Sequence, residues 1–404
     1  MSQTNISVFA GTIGVLLILI VLWDGFETIV LPRRVMRRFR LARLFYRATW
    51  PPWSLAAHGL FSGGKLDSML GFYGPLSLLF LICVWAGALI FGFGLLYWAL
   101  GSSVIASVQI SGFPADLYMS GTTFFTLGLG DVRPISLGAR VVTIFEAGMG
   151  FGFLALVVAY LPALNQSFSR REAAISMLDA RAGSPPTAAR MLERHRHEGG
   201  MDELREQFSM WEQWSAELLE SHLSYPVLAH YRSQHDNQSW LAALTVVLDS
   251  SALVLAAMED ECARQAQLTF AMARHAVVDL AAIFNQAPRK PEKDRLDQKE
   301  LARLKLMLQS AGLKLIDDHG PERRLQRLRE SYEPYVYALA RYFRLSTPPW
   351  MPAPGERDDW ETSPWEQKTP LDGAAVLAEW ENHHFRGAKD ARRRRLRRPY
   401  RFSP

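Results

Sequence analysis

Cysteine is almost absent from this chain, with two residues in 404, Cys83 and Cys262. Cys83 falls in an apolar run and Cys262 in a polar, helix-forming region, so no structural disulfide is expected. Charge is missing from long stretches: residues 1–23 carry none, and neither do residues 68–115. The first stretch lacks the positive charge ahead of its apolar core, and the small-residue cleavage site, that a secretory leader needs. The second is too apolar to be a solvated domain. Alternating strand patterns are sparse, which points to an all-α fold. No strand followed by G-x-G-x-x-G opens a helix, so a nucleotide-binding regulatory domain is not expected. Apolar runs carry no regular arginine series, which argues against a voltage sensor. No nucleophile–base pattern stands out, so no enzymatic activity is expected.

What the chain does have is long apolar runs. Ile6–Trp23 predicts a first membrane helix ending near Leu31. Gly74–Leu100 and Ser136–Leu164 are each long enough to cross a bilayer, which takes about 20 apolar residues. Arg33, Arg34, Arg37, Arg38, Arg40, Arg43 and Arg47 follow the first run. The excess of Lys and Arg on the cytoplasmic side then orients the chain. Its N-terminus is outside, the basic loop inside, the second span goes out, the third returns, and everything from about 165 onward is cytoplasmic. The 33–47 stretch is either an amphipathic helix lying on anionic headgroups or a stop-transfer cluster.

Between the second and third spans lies a shorter element. Pro114 and Asp116 suit the first turn of a helix, proline for its fixed φ and aspartate for the positive end of the dipole. About 12 residues at 1.5 Å each give roughly 18 Å, too short to span. This predicts a re-entrant half-helix. Thr126-Leu127-Gly128-Leu129-Gly130-Asp131 comes directly after it. Successive carbonyls can replace the water around a potassium ion only if they point one way. An L-residue strand alternates its carbonyls, and Gly128 and Gly130 supply the φ > 0 positions that undo the alternation. Thr126 can add a hydroxyl, and Asp131 can tie the outer end to the scaffold.

These pieces resemble the pore module of the potassium-channel superfamily, of the two-transmembrane or two-pore-domain type. The likeness covers residues 74–164, about a quarter of the chain. It is carried by Pro114, by Thr126-x-Gly128-x-Gly130-Asp131, by Asp131-x-x-Pro134, and by Gly148, Gly150 and Gly152 midway down the third span. The resemblance implies a selectivity filter of Thr126, Leu127, Gly128, Leu129 and Gly130 that binds K⁺ through backbone carbonyls alone. It also implies support from Asp131, Thr122 and Glu146. One filter segment per chain implies a homotetramer. No cofactor is expected beyond K⁺ as the permeant ion. Three positions depart from the pattern: Leu129 stands where Tyr is commonest, Phe125 where Thr is usual, and Thr122 where some members have a buttressing Glu. A weakly selective cation pore, and a non-conducting sensor or scaffold that keeps the pore fold, are the alternatives to a potassium-selective channel in the inner (plasma) membrane.

Acids at membrane depth are costly and point to function. Glu146 either sits protonated behind the filter or lines the cavity and concentrates cations, with the first favoured. Asp24 and Glu27 share a helix face; they either pair with Arg33 or Arg34 at headgroup level or face the pore module. Gly148, Gly150 and Gly152 are either hinges or packing positions, with Gly150 the best hinge candidate.

The expected organisation is a first span over 1–31, a basic interfacial loop over 32–72, the pore module over 73–164, a helical domain over 165–345 and a disordered tail over 346–404. Helices are expected near 170–182, 187–197, 201–222, 238–258, 260–285, 297–316 and 321–344. The apolar Trp240–Met258 stretch contains Asp249 and two serines and is read as a buried core helix. His222, His230 and His235 near Asp236 lack zinc spacing. Asp317, Asp318 and His319 close a helix. The arginine-rich 389–401 segment would attract anionic lipid, and no nucleic-acid partner is expected.

Overall fold

Lipid offers no partner to a backbone N–H or C=O, so apolar segments of this length must satisfy themselves as helices. The computed structural model describes residues 3–30, 41–101, 104–106, 112–195, 199–233, 238–258, 262–313 and 320–353. They form an all-α membrane protein with one two-stranded ribbon. Helix α1 (Gln3–Gly25) runs on into a π-helical turn, Phe26–Val30, close to the expected end at Leu31. It packs along α3 (Gly64–Ala99). The two helices pack tightly at Gly14, where a Cβ would lie 2.6 Å from the Gly92 carbonyl oxygen. Small residues permit this kind of close crossing in membranes.

The expected loop over 32–72 is largely helical. Helix α2 occupies Leu41–Leu60, and its course includes Pro51 and Pro52. Helix α3 starts at Gly64, ahead of the expected boundary at 73. Lys65 and Asp67 obscured that start, because charge ends an apolar run without ending a helix. Arg33, Arg34, Arg37, Arg38 and Arg40 lie outside the described residues.

The link after α3, expected to be a plain polar loop, contains β1 (Val104–Ala106). This strand pairs antiparallel with β2 (Val132–Pro134), with Val104 opposite Pro134 and Ala106 opposite Val132. Between the strands lies α4 (Phe113–Phe124), the 12-residue half-helix. Helix α5 (Leu137–Ala182) is 46 residues long and opens on a Ser136 cap that accepts from the Ala139 amide. It absorbs the helix expected separately at 170–182. At 1.5 Å per residue it is about 69 Å long, more than twice the hydrocarbon core. Pro162 lies within it.

The C-terminal half packs α6 (Ala188–Arg194), α7 (Gly200–Ser224), α8 (Trp240–Ala257), α9 (Ala263–Ile283), α10 (Gln298–Ser310), α11 (Gly320–Glu330) and α12 (Glu333–Phe343) around one core. A single helix was expected over 321–344. It breaks at Ser331–Tyr332 because Pro334, in the first turn of α12, cannot donate back to Glu330. Among the described residues, four helices are long and apolar enough to span, and α8 is the fourth. In α8, 89% of the apolar window is buried inside the protein, against 11% for α5. Asp249 in its middle receives both terminal nitrogens of Arg295, at 3.0 and 2.9 Å, and the Tyr332 hydroxyl. Helix α8 is therefore a core helix of the C-terminal domain, and the three-span reading stands.

The expected tail does not begin at 346. Trp350 is buried, its carbonyl accepts from the Ala189 amide at 3.0 Å, and Arg295 and Arg329 each stack on its ring at 5.6 Å. The proline-rich composition hid this anchor. Residues 354–404, with the 389–401 arginines, lie outside the described residues, as do His235, Asp236, Asp317, Asp318 and His319.

Candidate functional site

The C-terminal end of α4 sets the backbone of residues 126–131. The Thr126 amide bonds to the Thr123 carbonyl at 3.0 Å, and the Leu127 amide to the Thr122 carbonyl at 2.8 Å. This nested pair closes a helix over a left-handed residue. That residue is Thr126, at φ 56°. Glycine is usual there. A β-branched residue in that region stores strain of order 1–3 kcal/mol. Gly128 comes next at φ 57° and Gly130 at φ 78°, while Leu127 and Leu129 between them are not left-handed. Alternating hand cancels the flip between neighbouring peptides, so the carbonyls of such a segment line up on one side. In the single chain Leu127 and Leu129 are 59% and 64% exposed.

Two hydrogen-bonded acids flank this segment. At its far end the Tyr118 hydroxyl donates to Asp131 Oδ2 at 2.8 Å. Behind α4 sits Glu146, fully buried. Tyr97 donates to its Oε2 at 2.8 Å, and the Ser120 hydroxyl meets its Oε1. Ser120 also bonds the Ile90 carbonyl at 2.8 Å, and Tyr97 lies 3.0 Å from Thr143 Oγ1. One carboxyl thus joins α3, α4 and α5. Its partners are hydroxyls, with no cationic side chain among the described residues in reach. Thr122 turns back on its own helix, donating to the Met119 carbonyl at 3.0 Å.

Residues 80–166 match the family described as an ion channel. They form an ion-channel domain. Protein LctB of Geobacillus stearothermophilus is 31% identical to the chain over 90 residues, which are 20% of this chain and 66% of that protein. The chain therefore spans just under two thirds of that relative's length. No solved structure is significantly similar.

Of the three glycines in the channel domain's third span, Gly150 is the one in close contact. A Cβ there would lie 2.0 Å from the Phe124 carbonyl oxygen, at the end of α4, whereas Gly148 and Gly152 have nothing within 4 Å. Helix α5 passes through all three without a break. Asp24 and Glu27 are both buried. Asp24 Oδ2 accepts from the Ala42 amide and from Trp85 Nε1, each at 3.0 Å, so it ties α1 to α2 and to α3 of the channel domain. Glu27 accepts from Trp23 Nε1 at 2.6 Å. Arg33 and Arg34, the alternative partners, are outside the described residues.

The C-terminal domain meets the channel domain through a 3-10 turn, Pro226–His230, and its flanks. Arg171, on the lower part of α5, donates to the carbonyls of Leu228 and Tyr231 at 2.8 and 2.9 Å. Trp50 of α2 donates to the Tyr342 carbonyl at 2.9 Å. His230 is enclosed by Tyr46, Trp50 and Tyr73, and His222 bonds the Leu218 carbonyl at 2.8 Å. Both are buried side chains of that junction.

Sequence reasoning found Glu146 and Asp131 but missed Tyr97, Ser120, Thr143 and Tyr118. A signal existed: each is a hydroxyl in or beside an apolar segment, and an acid at membrane depth needs such partners. What sequence withheld was the pairing, since Tyr97 and Glu146 are 49 residues apart.

Proposed function

We propose that the chain is a potassium-selective channel, conducting passively through Thr126–Gly130 in a homotetramer, with its C-terminal helical domain assembling or gating the pore. The observation that carries this reading is the alternation of left-handed φ at Thr126, Gly128 and Gly130 directly behind a half-helix too short to span. The helix C-terminus, with its partial negative charge, favours a cation just inside the segment. Leu127 and Leu129, exposed on one chain, fit the tetramer, because neighbouring copies would cover them. Glu146 as a neutral acid donating to Ser120 Oγ, whose own proton goes to the Ile90 carbonyl, satisfies the donors in that network. The charge-derived orientation supports a position for Thr126–Asp131 at the outer mouth and for the helical domain in the cytoplasm of an inner (plasma) membrane protein. A pore domain of this type points to transport rather than catalysis.

A weakly selective cation pore is the second reading. Leu129 favours it: an aliphatic side chain has no hydroxyl with which to hold the diameter of the ring. The test is reconstitution of the purified chain in planar bilayers with opposing K⁺ and Na⁺ gradients. A reversal potential near the K⁺ equilibrium value is expected. Equal permeability overturns selectivity in favour of the second reading. No current under any condition favours the scaffold reading and overturns the channel.

A further inference from the structure

A cavity of about 570 Å³ lies where the channel domain meets the C-terminal domain. That is within the usual size range of small-molecule and cofactor sites. Its upper wall is apolar and belongs to the spans: Leu78, Leu81 and Ile82 of α3 and Val157 of α5. Its rim carries Arg43 and Arg47 of α2, with Tyr342 of α12 across from them. Arg43 is half-buried. Among the described residues no carboxylate lies within ion-pair reach of either arginine. No acid lines the cavity among the described residues, and Asp24 Oδ2 is engaged by the Ala42 amide and by Trp85 Nε1. Other buried arginines in this protein do have partners: Arg171 has Glu172 and two carbonyls, and Arg295 has Asp249 and Glu333. A half-buried cation over an apolar chamber is costly unless something anionic reaches it.

The level of the cavity also fits a lipid. Leu78 is 21 residues from the end of α3 at Ala99, about 32 Å, the thickness of a hydrocarbon core. The rim is therefore at headgroup depth and the apolar wall at acyl depth. Tyr46, Trp50, Tyr73 and Tyr160 cluster near that level, as amphipathic rings do at a membrane interface.

We infer that this cavity binds one anionic glycerophospholipid, its phosphate on Arg43 and Arg47 and an acyl chain against Leu81, Ile82 and Val157. The bound lipid bridges the channel domain to the C-terminal domain. The inference rests on the membrane placement of the three spans and is independent of whether the pore conducts or selects potassium.

The full-length protein is reconstituted in phosphatidylcholine vesicles doped with spin-labelled phosphatidylglycerol or spin-labelled phosphatidylcholine. The motionally restricted fraction of each label is then read by electron spin resonance. The wild type should prefer phosphatidylglycerol. In Arg43→Gln/Arg47→Gln that preference should fall about 30-fold, since each of the two basic side chains at the surface contributes on the order of one kcal/mol. Val157→Trp, which fills the chamber and leaves both arginines, should lower it as well. Both variants are scored only on protein that elutes at the wild-type assembly size. A wild-type preference retained by the folded arginine variant overturns the proposal. So does displacement of the labelled lipid by millimolar inorganic phosphate, which would make the site a simple anion site. Loss of preference in the arginine variant but not in Val157→Trp overturns the acyl half, reducing the cavity to surface electrostatics.

Discussion

Gly150→Ala separates packing from hinging in the third span. An alanine Cβ would sit 2.0 Å from the Phe124 carbonyl oxygen, 2.8 Å from its carbon and 3.1 Å from its Cα. Separations under 3.0 Å are essentially never tolerated, so the gap must open by about 1 Å. Both sides of the contact are helix backbone, and neither can swing aside as a flexible side chain would. Overpacking of this kind costs about 1–3 kcal/mol, and two rigid partners place it at the upper end. The gain from replacing glycine with alanine in a helix is about 1 kcal/mol, so the net effect is destabilising. The displaced atom is the end of α4, one residue before the Phe125 cap and two before Thr126, so the segment proposed to conduct moves with it. We expect Gly150→Ala to lower the thermal midpoint of the detergent-solubilised protein and to cut K⁺ flux into liposomes by more than 10-fold. Gly148→Ala and Gly152→Ala meet no atom within 4 Å, and each should leave the midpoint equal or higher. Wild-type flux and midpoint in Gly150→Ala would refute the packing argument. Altered open probability in Gly148→Ala or Gly152→Ala, at an intact midpoint, would assign the hinge to those positions instead.

Glu146→Ala removes the acceptor shared by Tyr97 and Ser120 and leaves a void behind α4. Unsatisfied buried groups cost about 1–3 kcal/mol each, so the thermal midpoint should fall and the K⁺/Na⁺ permeability ratio should drop; an unchanged ratio in folded protein removes Glu146 from filter support. Acid should weaken the C-terminal domain. Burial, and then the nearby guanidinium of Arg171 for His222 or Arg232 for His230, lowers each histidine to about 3. The unfolded chain takes up these protons near pH 6.5 and the folded chain does not. The stability is thus complete above pH 6.5 and is lost as the pH falls toward 3, by about 2 kcal/mol per histidine at pH 5. Urea midpoints from tryptophan fluorescence at pH 7 and pH 5 check this. A His222→Gln/His230→Gln protein with the same pH slope as wild type would show the argument to be wrong.

The features legible in sequence were those with a local cause. Pro114 and Asp116 announced α4 because helix starts have their own chemistry, and Gly128 and Gly130 announced left-handed backbone. Three further features were not legible. Thr126 is left-handed because the end of α4 closes over it, although threonine alone disfavours that region. The start of α3 at Gly64 is hidden by Lys65 and Asp67. Trp350 looked like part of a solvated tail because nothing near it in sequence shows the Arg295 and Arg329 planes that cover it. The acid in α8 was read correctly as a mark of a core helix, yet its partner, Arg295, comes from a loop 46 residues away.

Helix α5 is pinned at two heights. At Gly150 it bears on the end of α4, and 21 residues below, about 32 Å down the axis, Arg171 clasps the turn of the C-terminal domain. The upper contact acts as a fulcrum and the lower one as a handle. A swing of 5° about Gly150 carries Arg171 through roughly 3 Å, while the residues beside the fulcrum scarcely move. Pro162 lies between the two and cannot donate a backbone bond to Val158, which makes that turn the softest on the rod. Motion of the helical domain would therefore bend the rod below the contact with α4 and spare Thr126–Gly130. In the proposed channel, the lower part of α5 would then move without disturbing the carbonyls of Thr126–Gly130 above it.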